Sequence, residues 1–138
     1  MMRYLLLAPL LGLAACTYAP TPVDASLTAA EQQRIERAGA LMLRREAPAE
    51  QMRANAATCG ELGGTWKQDG MLGAYHCFVP YADAGRACSD ATECKGDCVA
   101  AEEGKRVGGK PGLCQADTNP FGCYGRVEQG QVNMICVD

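Results

Sequence analysis

The sequence predicts a small, disulfide-rich α+β protein, in which an amino-terminal helix or helices precede short β-hairpins and loops stapled by four disulfides. Eight of the nine cysteines lie between Cys59 and Cys136, and the segment before them has helical periodicity. Only 12 of the 80 residues from Cys59 to Asp138 are Leu, Ile, Val or Phe. Such a segment cannot build a stable core from apolar side chains alone, so we expect cross-links to hold it.

The length and charge of the chain limit its organisation. With 138 residues, it has room for one domain with a targeting segment and a tether. Its formal net charge of −3 argues only against a basic nucleic-acid-binding protein. We therefore expect no nucleic-acid partner. The predicted division is a signal peptide over residues 1–15, a tether over 16–27, a helical segment over 28–58 and a cysteine-rich domain over 59–138.

The isolated cysteine follows an apolar run. Arg3 precedes the stretch YLLLAPLLGLAA, which suits the apolar part of a secretion signal and is too short to span a bilayer as a helix. The sequence Leu-Ala-Ala-Cys that ends at Cys16 resembles the lipobox of bacterial lipoproteins. That resemblance implies cleavage before Cys16 and a lipid on its sulfur; an ordinary signal peptide is the alternative. Setting Cys16 aside leaves eight cysteines, an even number that can pair completely.

The lipobox resemblance also implies a location. A lipid-anchored chain belongs to the cell envelope, and Thr17 in place of Asp implies the outer membrane, facing the periplasm, by the enterobacterial sorting pattern. The expected partners are the membrane, through the lipid anchor, and an envelope protein or lipopolysaccharide.

Two helices are expected before the cysteines. Thr28 and Glu31 fit a capping box at the start of a helix from about Ala29 to Arg45, and Pro48 suits the first turn of a second helix over about Ala49–Ala57. The first helix carries a narrow apolar stripe. We expect the stripe to pack on the cysteine-rich part, rather than on a partner helix or the membrane; its members are Ile35, Ala38, Leu41 and Met42.

Export decides what the eight remaining cysteines do. An oxidising compartment favours disulfides, and none of the spacings Cys88-x5-Cys94-x3-Cys98-x15-Cys114 is the C-x2-C pair of structural zinc sites or redox centres. His76 is the single histidine, so mixed Cys/His metal sites are disfavoured. We therefore expect four disulfides, no metal and no cofactor.

Local patterns narrow the pairing. A two-residue turn at Gln129-Gly130 places Cys123 opposite Cys136 and puts Val127, Val132 and Met134 on one apolar, half-buried face of a hairpin. Asp69-Gly70 predicts a second two-residue turn; strict register would place Cys77 opposite Leu62, so a Cys59–Cys77 bridge needs a bulge or a looser loop. The expected disulfides are Cys59–Cys77, Cys88–Cys98, Cys94–Cys114 and Cys123–Cys136, and the pairs Cys88–Cys114 with Cys94–Cys98 are an open alternative.

Groups that could carry chemistry have plainer interpretations. A Cys/His nucleophile at His76 would need a free thiol, which pairing of Cys77 removes. Asp90, Glu93 and Asp97 lack the spacing of a calcium loop and are expected in a solvated acidic turn. The glycine-rich stretch Glu102–Gly112 is not a P-loop and is expected as a mobile basic loop. These observations predict no catalytic residues and no enzyme.

Two further resemblances concern the cysteine-rich part. DAGRACSDATECKGDC resembles the start of disulfide modules of the Dickkopf amino-terminal and EB type over about 16 residues, although Val99 stands where those modules continue with a cysteine. The combination of Gly64-Thr65-Trp66, YADAG at 81–85 and NPFGCY at 119–124 resembles uncharacterised cysteine-rich lipoproteins of proteobacteria, which imply no activity.

These observations predict a function class. The leading interpretation is a membrane-anchored envelope lipoprotein that acts as a non-enzymatic structural or interaction module. An inhibitor or ligand-binding module that presents Glu102–Gly112 on a disulfide scaffold is the first alternative, and an enzyme of unknown type is the third class.

Overall fold

The computed structural model describes residues 25–102 and 105–138. The predicted signal peptide, Cys16 and the tether as far as residue 24 lie outside these ranges. Within them the chain forms two α-helices and then short antiparallel strands, which confirms a small, disulfide-rich α+β fold. The elements are α1 (Ala29–Gly39), α2 (Ala49–Glu61), β1 (Thr65–Asp69), β2 (Ala74–Phe78), β3 (Ala87–Cys88), β4 (Cys98–Ala100), β5 (Gly112–Cys114), β6 (Gly122–Glu128) and β7 (Gln131–Val137).

The first helix begins as predicted but ends early. The Thr28 hydroxyl accepts from the Glu31 N–H at 3.2 Å, and the Glu31 carboxylate accepts from the Thr28 N–H at 2.9 Å, which completes the capping box. The prediction that the helix continues to Arg45 is wrong, because Leu43 exchanges two main-chain hydrogen bonds with Tyr75, of 2.9 and 2.7 Å. Pairing with the sheet therefore replaces the last helical turns.

The second helix is longer than predicted. It continues through residues 58–61, so that Cys59 lies in its last turn instead of after its end. Pro48 stands at the position immediately before the first helical residue. Helix α2 therefore places Cys59, one of the two cysteines of the Cys59–Cys77 disulfide, between the helices and the sheet.

The hairpin formed by β1 and β2 differs from the two-residue turn expected at Asp69-Gly70. Its loop has four residues, Gly70 to Gly73, and Trp66 lies opposite Cys77. Gly70 and Gly73 have φ of 73° and 58°, and the Gly73 N–H donates to the Gly70 carbonyl at 3.1 Å. Two glycines thus permit a wider loop than the Asp-Gly pair alone indicates.

One hydrophobic cluster joins both helices to this hairpin. Its buried members are Ala38, Cys59, Leu62, Cys77 and Val79, and Trp66 packs against them. Three of the four stripe residues predicted on the first helix contribute, because Ala38 is buried while Ile35 and Leu41 pack on the cluster. Met42 lies outside it and is 57% exposed.

A second sheet contains the other strands in the order β3-β5-β4-β6-β7, with all neighbours antiparallel. The β6–β7 hairpin has the predicted register, with Cys123 opposite Cys136. Its turn is Gln129-Gly130, with φ of 50° and 76°. The Asp90 carboxylate accepts from the Gln129 N–H at 2.7 Å, and the Ser89 carbonyl accepts from the Gly130 N–H at 2.7 Å, so the turn is tied to a neighbouring loop.

The described cysteines form four disulfides, and they are the four pairs that the sequence analysis favours. Two of them lie side by side in a second buried cluster that also contains Val127. Cα–Cα separations run from 4.1 to 6.0 Å, within or just below the usual range. The bonds are Cys59–Cys77, Cys88–Cys98, Cys94–Cys114 and Cys123–Cys136.

The apolar face of the tail hairpin is not half-buried as expected. Val127 is fully buried, but Val132 is 50% exposed and Met134 is 70% exposed. Strand β7 is the last strand of the sheet and therefore has a neighbouring strand on one side only. Within β7 the less exposed side chains are Ile135 and Val137, and Ile135 belongs to the face predicted as mostly polar, so the predicted burial of the apolar face of β7 is wrong.

Polar contacts join the two clusters. The Lys95 ammonium, next to Cys94 of the second cluster, bonds the Glu31 carboxylate on α1 at 2.8 Å. Main-chain and hydroxyl bonds between Val79 and Thr118 add a further link. None of the four described disulfides crosses between the clusters, so noncovalent contacts and the continuous chain hold them together.

Candidate interaction surfaces

The loop between β1 and β2 presents two large apolar side chains to solvent. Met71 is 78% exposed and Leu72 is 86% exposed, and Met42 lies beside them. We call Met42, Met71 and Leu72 the tip surface. A groove of about 390 Å³ continues from it past Arg44 and Arg45. Exposed apolar groups that adjoin in this way are typical of an interaction site.

The base of this loop is fixed. The Asp69 carboxylate accepts from the Gly70 N–H at 2.9 Å and from the Asn119 side-chain amide at 2.8 Å. These bonds, with the ion pair to Lys67, lower the pKa of Asp69 below its ordinary value. The Phe121 ring lies against Gly70, where a side chain would come within 3.0 Å of it. The tip surface is therefore held at its base by the end of β1 and by the loop that precedes β6.

A second exposed apolar surface lies on the tail hairpin. Val132 and Met134 project from β7, beside the exposed Cys123–Cys136 disulfide. On β6, Gly125 lies opposite Met134, and a Cβ at this glycine would approach the Val132 side chain to 2.6 Å. We call Val132, Met134 and this disulfide the edge surface.

The described residues of the segment predicted as a mobile basic loop contain local structure. Residues 105–112 contain a tight turn in which Val107 and Lys110 exchange main-chain hydrogen bonds of 3.0 Å, with Gly108 and Gly109 at positive φ. The Lys110 ammonium bonds the Glu93 carboxylate, and Lys105 bonds Glu102 at 2.5 Å. These ion pairs neutralise much of the charge that an anionic headgroup would contact.

The three acidic residues do not form the solvated turn that was expected, because each has its own protein donors. Asp90 caps a short 3₁₀ turn and accepts from Thr92 and from the Gln129 N–H, which lowers its pKa to about 2. Lys110, and then the Ser89 N–H, lowers the pKa of Glu93. Asp97 accepts from the Tyr124 hydroxyl at 3.0 Å and pairs with Arg126. Each of the three carboxylates therefore bonds a different set of donors around the second cluster.

His76 lies among aromatic rings and not beside a thiol. Its ring is 5.6 Å from that of Phe78 and 5.0 Å from that of Phe121, and the neighbouring Cys77 sulfur is bonded to Cys59. Trp66 stacks on Tyr75 at 5.8 Å, half-buried, so these two aromatics support the hairpin.

Three sulfurs of the second cluster lie within 4.8 Å of one another, those of Cys88, Cys94 and Cys114. A zinc or iron centre needs thiolates. In the structure each of these sulfurs is bonded in a disulfide, two of them with each other, so the group could hold a metal only after reduction. The two disulfides lie so close together that non-native pairs of these cysteines can form during folding.

The tip surface was not among the features predicted from the sequence. The signal was present in Gly70-Met71-Leu72-Gly73, an apolar pair between two glycines, but it was interpreted only through the turn that precedes it. No helix within residues 25–102 and 105–138 is long and apolar enough to cross a membrane. Comparison of the chain with protein-family models, curated proteins and solved structures gives no match.

Proposed function

We propose that the protein is a cell-envelope lipoprotein, anchored through Cys16, whose disulfide-stapled body is a non-enzymatic interaction module. The observation that carries the module is the tip surface, where Met71 and Leu72 are exposed on a loop with a fixed base. Large apolar side chains in water favour contact with a partner. A loop already held in shape loses little conformational entropy when it binds.

The anchor rests on the sequence around Cys16. Each buried methylene of an acyl chain contributes about 0.8 kcal/mol, so two or three chains hold a protein on a membrane without help from the polypeptide. The ten residues from 17 to 26, when extended, would let the body stand up to about 30 Å from the bilayer, at about 3 Å per residue. The module would then meet partners within the envelope, including the outer membrane facing the periplasm.

Replacing the lipidated thiol tests the anchor. Wild-type protein should incorporate labelled fatty acid and fractionate with membranes, while Cys16→Ser should take up no label and should be recovered uncut or in the soluble fraction. The described disulfides should be unchanged, because none of them includes Cys16. Absence of label in the wild type would refute the anchor.

The tip surface is tested by photo-crosslinking in the intact envelope. A benzophenone amino acid at Met71 should give a discrete adduct with an envelope component. Leu72→Asp should remove the adduct, whereas Val107→Asp, at an exposed apolar residue elsewhere, should leave it unchanged. Equal loss in both variants, or a diffuse set of adducts, would argue against a module that acts through the tip.

A ligand-binding or inhibitor module is the second candidate. The observation that favours it is the tight turn at Val107–Lys110, which the Lys110–Glu93 ion pair holds against the second cluster. In this case Val107→Asp, and not Leu72→Asp, should remove the envelope adduct when the benzophenone is placed at Arg106.

A further inference from the structure

Strand β7 is a long edge strand, and no other segment of residues 25–102 and 105–138 pairs with its outer side. It forms the last strand of its sheet over the seven residues Gln131–Val137, and the sequence QVNMICV contains no charged residue and no proline. The opposite edge of the same sheet, β3, has only two residues. Folded proteins usually shorten, charge or cover an edge strand, because its free main-chain groups pair with other strands.

The turn determines which main-chain groups are free. In a hairpin with a two-residue turn, the residues flanking the turn form a hydrogen-bonded pair, and the pairs then alternate. Glu128 and Gln131 flank the turn. Val132, Met134 and Cys136 therefore direct their N–H and C=O groups away from β6. No main-chain hydrogen bond from another described segment reaches these three residues.

We propose that two copies of the chain associate through β7, in antiparallel register with Met134 opposite Met134 of the second copy. Val132 then lies opposite Cys136 of the second copy, and the reverse pair follows by symmetry. Each of the three pairs exchanges two main-chain hydrogen bonds, so six bonds form and all three free N–H and C=O pairs of each strand are used.

The side chains favour the same partner. In this register Val132, Met134 and the Cys123–Cys136 disulfide of both copies lie on one face, so the two edge surfaces lie side by side and their opposite residues contact each other across the interface. No like charges meet, because β7 has none and Asp138 falls opposite Gly130 of the second copy. The contact is a closed twofold interface and leaves no further free edge at β7. A strand pair of this length buries little area, so the dimer should be reversible.

Crosslinking between differently tagged copies tests the interface in the full chain. Two tagged forms are co-expressed in the envelope with a benzophenone amino acid at Val132. Irradiation should give a covalent product that carries both tags. The same group at Met71, which is also exposed and apolar but lies on the tip surface, should give no doubly tagged product.

Charge variants test the register. Met134→Lys in both copies should reduce the doubly tagged product about tenfold, because two like charges then lie directly opposite across the interface. Met134→Glu in both copies should do the same. Co-expressing the Lys variant with the Glu variant should restore the product to near the wild-type amount, since opposite charges are paired. An intact Cys123–Cys136 disulfide in each variant shows that the hairpin is folded.

A backbone variant gives independent evidence. Met134→Pro removes an N–H that β6 does not use, so it should abolish the product while the hairpin disulfide still forms. A Val132 adduct with another envelope protein, an intramolecular adduct with residues 16–24, or no recovery in the Lys/Glu mixture would each overturn the proposal.

Discussion

Gly64 provides the sharpest test of the packing around the first disulfide. A Cβ at this position would lie 2.7 Å from the Cys77 sulfur, 2.9 Å from the Cys59 sulfur and 3.0 Å from the Phe78 carbonyl oxygen. None of these atoms is the free end of a flexible side chain, so the main chain must move. Forcing a methyl group into a filled site costs about 1–3 kcal/mol, and we expect Gly64→Ala to lose this much stability.

Gly60, four residues earlier, is the matched control. It lies inside α2, and a Cβ there would meet nothing within 4 Å. Alanine is the better helix former by about 0.5–1 kcal/mol, so Gly60→Ala should raise the free energy of unfolding. The same substitution thus has opposite signs at two positions near Cys59, and the two variants should differ by about 1.5–4 kcal/mol.

The measurement is equilibrium unfolding in urea, followed by circular dichroism, with the disulfides left oxidised. Equal m-values would show that the midpoint shift reports stability alone. If Gly64→Ala unfolds at the wild-type midpoint, the close approach of residue 64 to the disulfide is wrong. If Gly60→Ala is the less stable variant, the assignment of residue 60 to helix α2 is wrong.

Two further predictions concern charge and disulfides. The hydrogen bond from Lys95, and then those with Thr28, lower the pKa of Glu31 from 4.5 to about 2. The ionised carboxylate therefore contributes its full stabilisation above pH 4.5, and this contribution is lost as the pH falls toward 2. Glu31→Gln, which keeps an acceptor in the cap, should lower the melting temperature at pH 7 and flatten its dependence between pH 4.5 and 2; an unchanged pH profile would contradict the ion pair. Non-reducing peptide mapping should recover Cys88–Cys98 and Cys94–Cys114 without alkylated thiols, and recovery of Cys88–Cys114 would refute the pairing.

Local signals predicted what local interactions decide. The tail hairpin follows from a turn of two residues and the alternation on either side of it, and all paired residues lie within the 16-residue stretch from Gly122 to Val137. The capping box at Thr28 and Glu31 is equally local. Such features need no information about the remainder of the chain.

The features that were missed depend on distant partners. The first helix ends at Gly39 because Leu43 pairs with Tyr75, a residue of β2 that lies 32 positions further along the chain. The acidic residues near the second cluster meet donors such as the Gln129 N–H, which spacing along the sequence does not reveal. Exposure of Met134 depends on whether another element covers the sheet, and no pattern inside β7 encodes that.

The two adjacent disulfides of the second cluster interleave along the chain, since Cys94 lies between Cys88 and Cys98. If the chain is exported amino terminus first, Cys88 and Cys94 reach the oxidising compartment before either of their partners. A bond between them would be non-native, and thiol–disulfide exchange would have to undo it through a mixed intermediate. Maturation of this protein should therefore depend on a disulfide isomerase, whereas Cys59–Cys77 and Cys123–Cys136 join neighbours in order of emergence and need only an oxidase.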